Sequence, residues 1–372
     1  MIFYFVRLLT YTDVMNCVLT AVFVELLRDS VSEHLHAAKV AGLETKFTSR
    51  DNGMALTLDG YDEKQFMLLN KIMISMTNFK VDPQKLEMFK ETYSWSLQNI
   101  DSLQPHKRAI HTLEYLLKEQ IWAINDLVEM LDYLTVDRMV KFISDFLITI
   151  HVKCLIVGNV NVEEAINISQ MIETRLPRVP YIKHESALYP LIPHRHLNTN
   201  SCSSYEVSKS LHNASCTLIY YHSDIQSNSG ILLYLLVQIS SGLCEKTLKF
   251  REQLGHIVII DVHKVNGMQG LKILIEGNKH ELHYVTERIY AFMDLVEKYI
   301  ETMTDEYLEM YKKILHQSYF NLSEFRCSQF AKYCDQILTE QYYVKQEYDE
   351  FTCLSNITTK KLLKFYKVIL IT

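Results

Sequence analysis

One stretch in the second half of the chain constrains the fold more than any other, because it reads as two strands joined by a tight turn. Two runs rich in β-branched residues, 257–263 and 268–276, flank the dipeptide Asn266-Gly267. Asn-Gly is a strong β-hairpin signal, since both residues tolerate the positive φ angles that the turn requires. A helix is expected before the hairpin, with Gly255 as its stop signal.

The same succession of signals occurs about 214 residues earlier in the chain. The paired landmarks are Asn52-Gly53-Met54 with Asn266-Gly267-Met268, Gly42 with Gly255, and Gly60 with Gly277. Self-similarity at a fixed spacing indicates duplicated structural units. The sequence therefore predicts an α+β protein of two tandem homologous domains, each a mostly antiparallel sheet packed against helices. The second copy lacks counterparts of the strand at 151–157 and of the helix that follows it, and so reads as truncated, with an uncovered sheet edge.

A proline-rich stretch separates the two predicted copies. Four of the six prolines fall between positions 177 and 193, and a polar run follows them. Such a composition is typical of a linker. The predicted boundaries are a first domain at 1–178, a linker at 179–204 and a second domain at 205–372.

The predicted elements of the first copy follow from start signals and periodicity. Asp13 is a good N-cap for a single long helix that ends near Ala41, with Gly42 at the stop position. The apolar residues 2–9 are too few to span a bilayer and are interpreted as a core strand. Further helices are expected at 62–78, after Asp82-Pro83, after Gln104-Pro105, after Thr135 and at 161–176, and in the second copy at 230–250, 281–302 and from 304.

The composition excludes some functions. A net charge of −6, with no basic block, gives no electrostatic support to nucleic-acid binding. The eight cysteines contain no Cys-x-x-Cys pair and are interpreted as reduced thiols. We therefore expect a cytoplasmic protein without nucleic-acid or membrane partners, with mitochondrial or peroxisomal pools left open.

Metal and nucleophile motifs are the next test of function. The chain contains no His-x-x-Glu-His, and its nearest approach, from His111 to Tyr115, lacks the second histidine. His280, His283 and Glu287 share one predicted helix face, but surface helices collect such trios by chance, so solvated side chains are the favoured interpretation. No nucleophile elbow, dinucleotide fingerprint or phosphate loop is present.

The segment that precedes the hairpin carries a family resemblance. Residues 249–256, Lys-Phe-Arg-Glu-Gln-Leu-Gly-His, resemble the Arg-Thr-Lys-Glu-Gln-Leu-Gly-Tyr segment of insulin-degrading-enzyme-type zinc peptidases, the pitrilysin/insulysin family. Other stretches are similar in the same order, among them Ala41-Gly42-Leu43, Gln104-Pro105-His106, Ile219-Tyr220-Tyr221 and Asn266-Gly267-x-Gln269-Gly270-Leu271. The resemblance falls on the third and part of the fourth of the four homologous domains of this family.

The resemblance implies that this chain is the C-terminal half of such an enzyme, which closes a chamber over short peptide substrates. It assigns Lys249 and His256 to contacts with the substrate backbone and the developing oxyanion. Both depart from the family's Arg and Tyr, which implies a weakened or retired site, since losing one oxyanion donor costs about 10²–10³ in rate. No metal or cofactor is expected in this chain, and zinc is expected in a partner, the N-terminal catalytic half.

Two functional hypotheses follow. The first is one half of an insulysin-like zinc metallopeptidase, inactive alone. The second is a non-catalytic pseudo-peptidase that binds peptides or a partner half, and the changes at Lys249 and His256 favour it. The resemblance leaves a homo-oligomer open.

Overall fold

The computed structural model describes most of the chain: residues 1–7, 13–50, 52–117, 122–148, 150–177, 204–205, 213–223, 229–265, 268–324, 330, 333–334, 336–337 and 352–371. Contacts divide it into two units, Met1–Asn99 with Trp122–Pro190, and Ile100–Ile121 with Leu191–Thr372. The segment 100–121, expected in the first domain, thus groups with the second unit. The expected linker lies almost entirely outside the described residues, so its boundaries stay predictions.

A four-stranded antiparallel sheet forms the centre of the first unit. Its strands are β1 (Ile2–Val6), β2 (Leu43–Arg50), β3 (Gly53–Gly60) and β4 (His151–Leu155), in the order β2-β3-β1-β4. All five residues of β1 are buried, as expected of a core strand. The predicted hairpin around Gly53 and the predicted strand at 151–157 are both confirmed.

Among the described residues, eight α-helices precede the second sheet in the chain, and seven of them belong to the first unit. They are α1 (Val14–Ser30), α2 (Ser32–Val40), α3 (Gln65–Thr77), α4 (Pro83–Gln98), α5 (Pro105–Leu117), α6 (Ile124–Asp132), α7 (Val136–Ile148) and α8 (Val162–Arg175), of which α5 belongs to the second unit. Phe23 is at the centre of the first core, with its ring 6.0 Å from that of Phe146 and 6.4 Å from that of Phe142.

Two helix predictions in the first unit were wrong in part. The single helix expected from Asp13 to Ala41 is broken at Val31 (φ −108°, ψ 7°), within Ser30-Val31-Ser32, three residues of modest helix propensity. The Ser30 hydroxyl donates to the Leu27 carbonyl at 2.7 Å and so competes for that backbone acceptor. The N-cap Asp13 and the stop at Gly42 (φ 80°) are confirmed. Helix α6 was not predicted, because it is nine residues long and has no side-chain N-cap.

The second unit repeats the strand order of the first. Its strands are β5 (Ser215–Ser223), β6 (Ile257–Val265) and β7 (Met268–Gly277), in the antiparallel order β5-β7-β6. With β5, β6 and β7 in the places of β1, β2 and β3, the two orders match. The place that β4 fills beside β1 has no counterpart next to β5 among the described residues. The predicted pair of related α+β units is confirmed in this respect.

Helices other than α5 cover one face of the second unit's sheet. They are α9 (Ser229–Cys244), which continues as a π-helical segment, Glu245–Arg251, then α10 (Leu282–Thr302), α11 (Asp305–Glu324) and α12 (Thr359–Ile371). Leu271, Ile273 and Ile275 of β7 point into this core. Residues Gly230–Arg251 are long and apolar enough to cross a membrane by length and composition. Their Leu233, Leu235 and Leu236 are buried in the core, which accounts for that composition.

The opposite face of the second sheet carries helix α5. Leu113 and Leu117 of α5 pack against Leu218 and Tyr220 of β5. Alternation along β7 turns Lys272, Leu274 and Glu276 to this face. The N-terminal end of α5 therefore lies beside the C-terminal end of β7, where Glu276 is located.

Gly255 does not end the helix as expected. The helical segment ends at Arg251, and the residue with positive φ is Gln253 (φ 52°). Gly255 is required for a different reason: a Cβ there would lie 2.2 Å from the carbonyl oxygen of Glu276. The backbone must therefore pass close to β7 at this point, and only glycine permits that approach.

We predict that Gly255→Ala destabilises the protein by about 1–3 kcal/mol, because the added methyl must push β6 away from β7. Gly242→Ala is the matched control: Gly242 is exposed on α9 with nothing within 4 Å of its added Cβ. That substitution is expected to stabilise by roughly 0.5–1 kcal/mol through helix propensity. Urea unfolding of both variants measures the difference, and equal effects would contradict this account of Gly255.

Candidate functional site

The candidate site is built around Glu276, a buried carboxylate in the central strand of the second sheet. Glu276 is only 4% exposed. Its Oε2 accepts hydrogen bonds from the His106 backbone N–H at 2.8 Å and from the His106 ring Nδ1 at 2.7 Å. Its Oε1 lies 3.0 Å from Nε2 of His256. Every carboxylate oxygen thus has a donor, as burial of a charge requires.

His106 is held by the start of helix α5. Pro105 is the first helical residue, so the His106 N–H is one of the donors that an α-helix leaves without an internal partner. Glu276 accepts from that N–H and places its negative charge at the positive end of the helix dipole. A residue 170 positions away therefore caps this helix.

His256 is held by the edge of the hairpin. Its backbone N–H donates to the Glu276 carbonyl at 3.0 Å, and its ring bonds the Glu276 side chain. The ring is still accessible, with 59% of the side chain exposed. Glu276 of β7 thus hydrogen-bonds both the backbone and the side chain of His256.

The two histidines keep Glu276 ionised. Burial alone raises the pKa of Glu276, but the hydrogen bonds from the side chain and backbone of His106, together with the charges of His106 and His256, outweigh it. The pKa of Glu276 therefore lies below its ordinary value of 4.5. Burial, followed by the nearby Glu276, raises the pKa of the Cys216 thiol to about 12, so Cys216 supplies no thiolate nucleophile at neutral pH.

A cavity of about 340 Å³ opens beside this group, and both residues singled out by the resemblance line it. Its walls are Lys249, Phe250, Gln253, Leu254, Gly255, His256, Gly277, Asn278 and Lys279. Lys249 is 37% exposed at its side chain, with Glu245 3.6 Å away and the Phe250 ring 5.8 Å away. The wall carries two lysines and no acidic residue, so it suits carbonyl oxygens or carboxylates of a ligand.

The possible metal-binding trio of His280, His283 and Glu287 does not form a metal site in the structure. His280 lies against Tyr284, with ring centroids 5.2 Å apart, and His283 faces Glu287 at 3.7 Å in the exposed helix surface. Across the part of the chain that the structure describes, no group of three or more His, Cys, Asp or Glu side chains is placed to hold a metal ion. Lys249 and His256 share one cavity wall, whereas His280, His283 and Glu287 form no three-residue group.

Sequence reasoning missed Glu276 and His106. Glu276 is 20 residues from His256 along the chain, and His106 is 170 residues from Glu276, so no local motif records either residue. One signal was available: Glu276 is an acidic residue at the end of an apolar strand, on the face that it shares with Leu274 and Lys272. A charge in that position requires a partner.

We predict that Glu276→Gln destabilises the protein by about 1–3 kcal/mol at pH 7, because charge-assisted hydrogen bonds to both histidines are lost. The folded pKa of Glu276 lies below the unfolded value, so this stabilisation is present above about pH 4.5 and is lost as pH falls through the folded pKa. Urea unfolding at several pH values measures it. The exposed control, Glu287→Gln, is expected to change stability by less than about 0.5 kcal/mol. A variant-to-wild-type difference that grows below pH 4 would contradict the assignment.

Comparisons with known proteins agree with this architecture. The family described as the middle or third domain of peptidase M16 matches residues 1–130, and the PQQ synthase PqqF-like C-terminal lobe domain 4 matches residues 235–332. The crystal structure of pitrilysin superposes with a TM-score of 0.81 at 14% identity, covering 98% of this chain and 38% of that one. A protease from Helicobacter pylori superposes with a TM-score of 0.75 at 11% identity, covering 98% and 90%. These structures share the fold.

Sequence relatives are closer. Insulin-degrading enzyme from Homo sapiens is 34% identical over 368 residues, which cover 97% of this chain and 35% of the relative. The A-factor-processing enzyme of Saccharomyces cerevisiae is 23% identical over 364 residues, covering 96% and 35%. The chain spans about a third of the length of these relatives. It belongs to the peptidase M16 family of insulin-degrading-enzyme type, and it corresponds to the third domain and part of the C-terminal lobe of that family.

Proposed function

We propose that this chain is the non-zinc, C-terminal half of an insulin-degrading-enzyme-like metalloendopeptidase, and that it contacts a short peptide substrate through the cavity of Lys249 and His256. The observation that supports this most is the shared wall: two residues singled out by the resemblance, seven positions apart, line one cavity. The chain's 34% identity to human insulin-degrading enzyme over 97% of its length supports the same assignment.

In this role Lys249 and His256 divide the contacts with the peptide. The Lys249 ammonium supplies a positive point charge for a peptide carbonyl or carboxylate, without the planar fork of donors that an arginine offers. His256 presents its imidazole ring at the same wall, and the ring is hydrogen-bonded to the Glu276 carboxylate. Exposed Phe250, with its ring beside Lys249, adds an apolar surface for a peptide side chain.

The proposal assigns zinc to the N-terminal half. A catalytic zinc site requires about three protein ligands and one open position for water. The described residues contain no such group, so hydrolysis is assigned to the assembly with the partner half. A cytoplasmic location is part of the proposal, and a homo-oligomer is left open.

A second candidate is a non-catalytic module that binds peptides or a partner half. The specific observation in its favour is that Lys249 and His256 replace the Arg and Tyr of the resembled segment. Transcript sequence upstream of the Met1 codon discriminates the two: a reading frame that encodes His-x-x-Glu-His supports the peptidase, and its absence from the gene supports the binding module.

We predict that the chain binds a fluorescein-labelled short peptide, and that Lys249→Ala and His256→Ala each weaken binding about tenfold, the value of one hydrogen bond to a charged group. Fluorescence anisotropy measures the affinity. Lys246→Ala is the matched control, because Lys246 is exposed in the same helical segment and does not line the cavity. His283→Ala, at a histidine with 84% of its side chain exposed, is the control for His256. Equal affinities for all four variants would contradict the proposed contact.

A further inference from the structure

We propose that Glu276 is a positioning residue that fixes the tautomer of His256, so that the neutral ring presents a hydrogen-bond acceptor to the cavity and becomes a donor only when it is protonated. This inference rests on the proposed function for its consequence in peptide binding. The tautomer itself is a property of the chain alone.

The number of protons on a neutral imidazole limits which nitrogen of His256 can donate. Such a ring carries one N–H, and the other ring nitrogen is an acceptor. Nε2 of His256 lies 3.0 Å from Oε1 of Glu276, and an ionised carboxylate can only accept. The single proton of neutral His256 must therefore lie on Nε2, which leaves Nδ1 as the nitrogen available to a ligand.

The ionised state of Glu276 is held by its other partner. Oε2 accepts both the backbone N–H and the ring Nδ1–H of His106, so the carboxylate has two donors before His256 is counted. These two donors, together with the charges of His106 and His256, keep Glu276 ionised in spite of its burial, so its Oε1 carries no proton to donate. An ionised Oε1 can only accept, so the contact with His256 requires the ring to donate from Nε2.

Among the described residues, the titratable groups around His256 and its carboxylate partner come from four parts of the unit. Helix α5 contributes His106, β5 contributes Cys216 opposite Glu276, the π-helical segment contributes Lys249, and the residues after β7 contribute Lys279. Glu252, the acidic residue nearest in sequence, is engaged by two hydrogen bonds of 2.7 and 2.6 Å from Arg288. Glu276 is therefore the carboxylate that determines the position of the His256 proton.

The consequence concerns which peptide group His256 can bind. Neutral His256 can accept from a peptide N–H through Nδ1, whereas a bond to a peptide carbonyl or to an oxyanion requires the doubly protonated ring. The residue that replaces the family's tyrosine is thus a donor with a pH limit, which a tyrosine hydroxyl does not have.

The tautomer can be read directly by NMR. Two-bond ¹H–¹⁵N correlation spectra of the full-length chain, labelled at histidine, distinguish a protonated from an unprotonated ring nitrogen, and His256→Gln assigns the signals. At pH 8 we expect the His256 proton on Nε2. A proton on Nδ1, or an average of both tautomers, would overturn the proposal, and this result does not depend on whether the chain binds peptide.

Glu276→Gln provides a test that a purely structural role would not pass. The amide oxygen can still accept from His106, but the amide NH₂ must then donate to Nε2 of His256, which moves the ring proton to Nδ1. We expect this tautomer reversal, with no change in the control Glu287→Gln, whose exposed partner is His283. An unchanged His256 tautomer in folded Glu276→Gln would overturn the proposal, and far-ultraviolet circular dichroism establishes that the variant is folded.

If Glu276→Gln fails to fold, Glu276→Asp replaces it, because the shorter side chain retracts the carboxylate from Nε2 of His256. Loss of the fixed Nε2–H tautomer is then expected, and retention of that tautomer would overturn the proposal.

Peptide binding then separates the two proposals. With a terminally blocked fluorescein-labelled peptide, wild type is expected to bind about tenfold more tightly at pH 5.5 than at pH 7.5, since only protonated His256 donates to a carbonyl. Glu276→Gln, with a neutral donor on Nδ1, is expected to lose most of that pH dependence. An Nε2–H tautomer in a chain that binds no peptide at either pH would refute the proposed function and leave the positioning role of Glu276 intact. Binding with equal pH dependence in wild type and variant would refute the switch from acceptor to donor.

Discussion

The buried carboxylate of Glu276 is the constraint on which the architecture of the second unit's site depends. It occupies the central strand β7 and accepts from His106 on one side and His256 on the other. Its backbone carbonyl lies so close to the preceding loop that only Gly255 fits there. A charge in such a place is stable only when its donors are fixed, so the start of α5, the loop before β6 and the end of β7 are mutually dependent.

Local signals in the sequence predicted most of the fold. The N-cap Asp13, the helix start at Asp82-Pro83 and the stop at Gly42 each act within a few residues, and the structure confirms them. The duplicated landmarks predicted the matching strand orders of the two sheets. The assignment of helix α5 could not be predicted in this way, because its place on β5 and β7 is decided by contacts of Leu113, Leu117 and His106 with residues far along the chain.

The residues of the candidate site also differ in whether local sequence could predict them. Lys249 and His256 were found because a contiguous segment resembles a family, and the structure places both on one cavity wall. Glu276 and His106 were not found, since their interaction is set by strand register and by the docking of a helix. Gly255 was given the wrong role for the same reason: its requirement comes from β7, and the helix before it ends at Arg251.

These features describe a surface suited to holding a peptide, in a chain whose described residues offer no metal-binding group. We propose that this surface completes an active site whose zinc belongs to a partner half. The most direct measurement is peptide hydrolysis by a separately produced, zinc-loaded N-terminal half of a family member, with and without this chain. For the chain alone we expect no hydrolysis and no stoichiometric zinc. When the chain is added, we expect stimulation of the partner half, which His256→Ala diminishes. Hydrolysis by the isolated chain with one equivalent of zinc, or a partner half that wild-type chain leaves unchanged, would contradict this proposal.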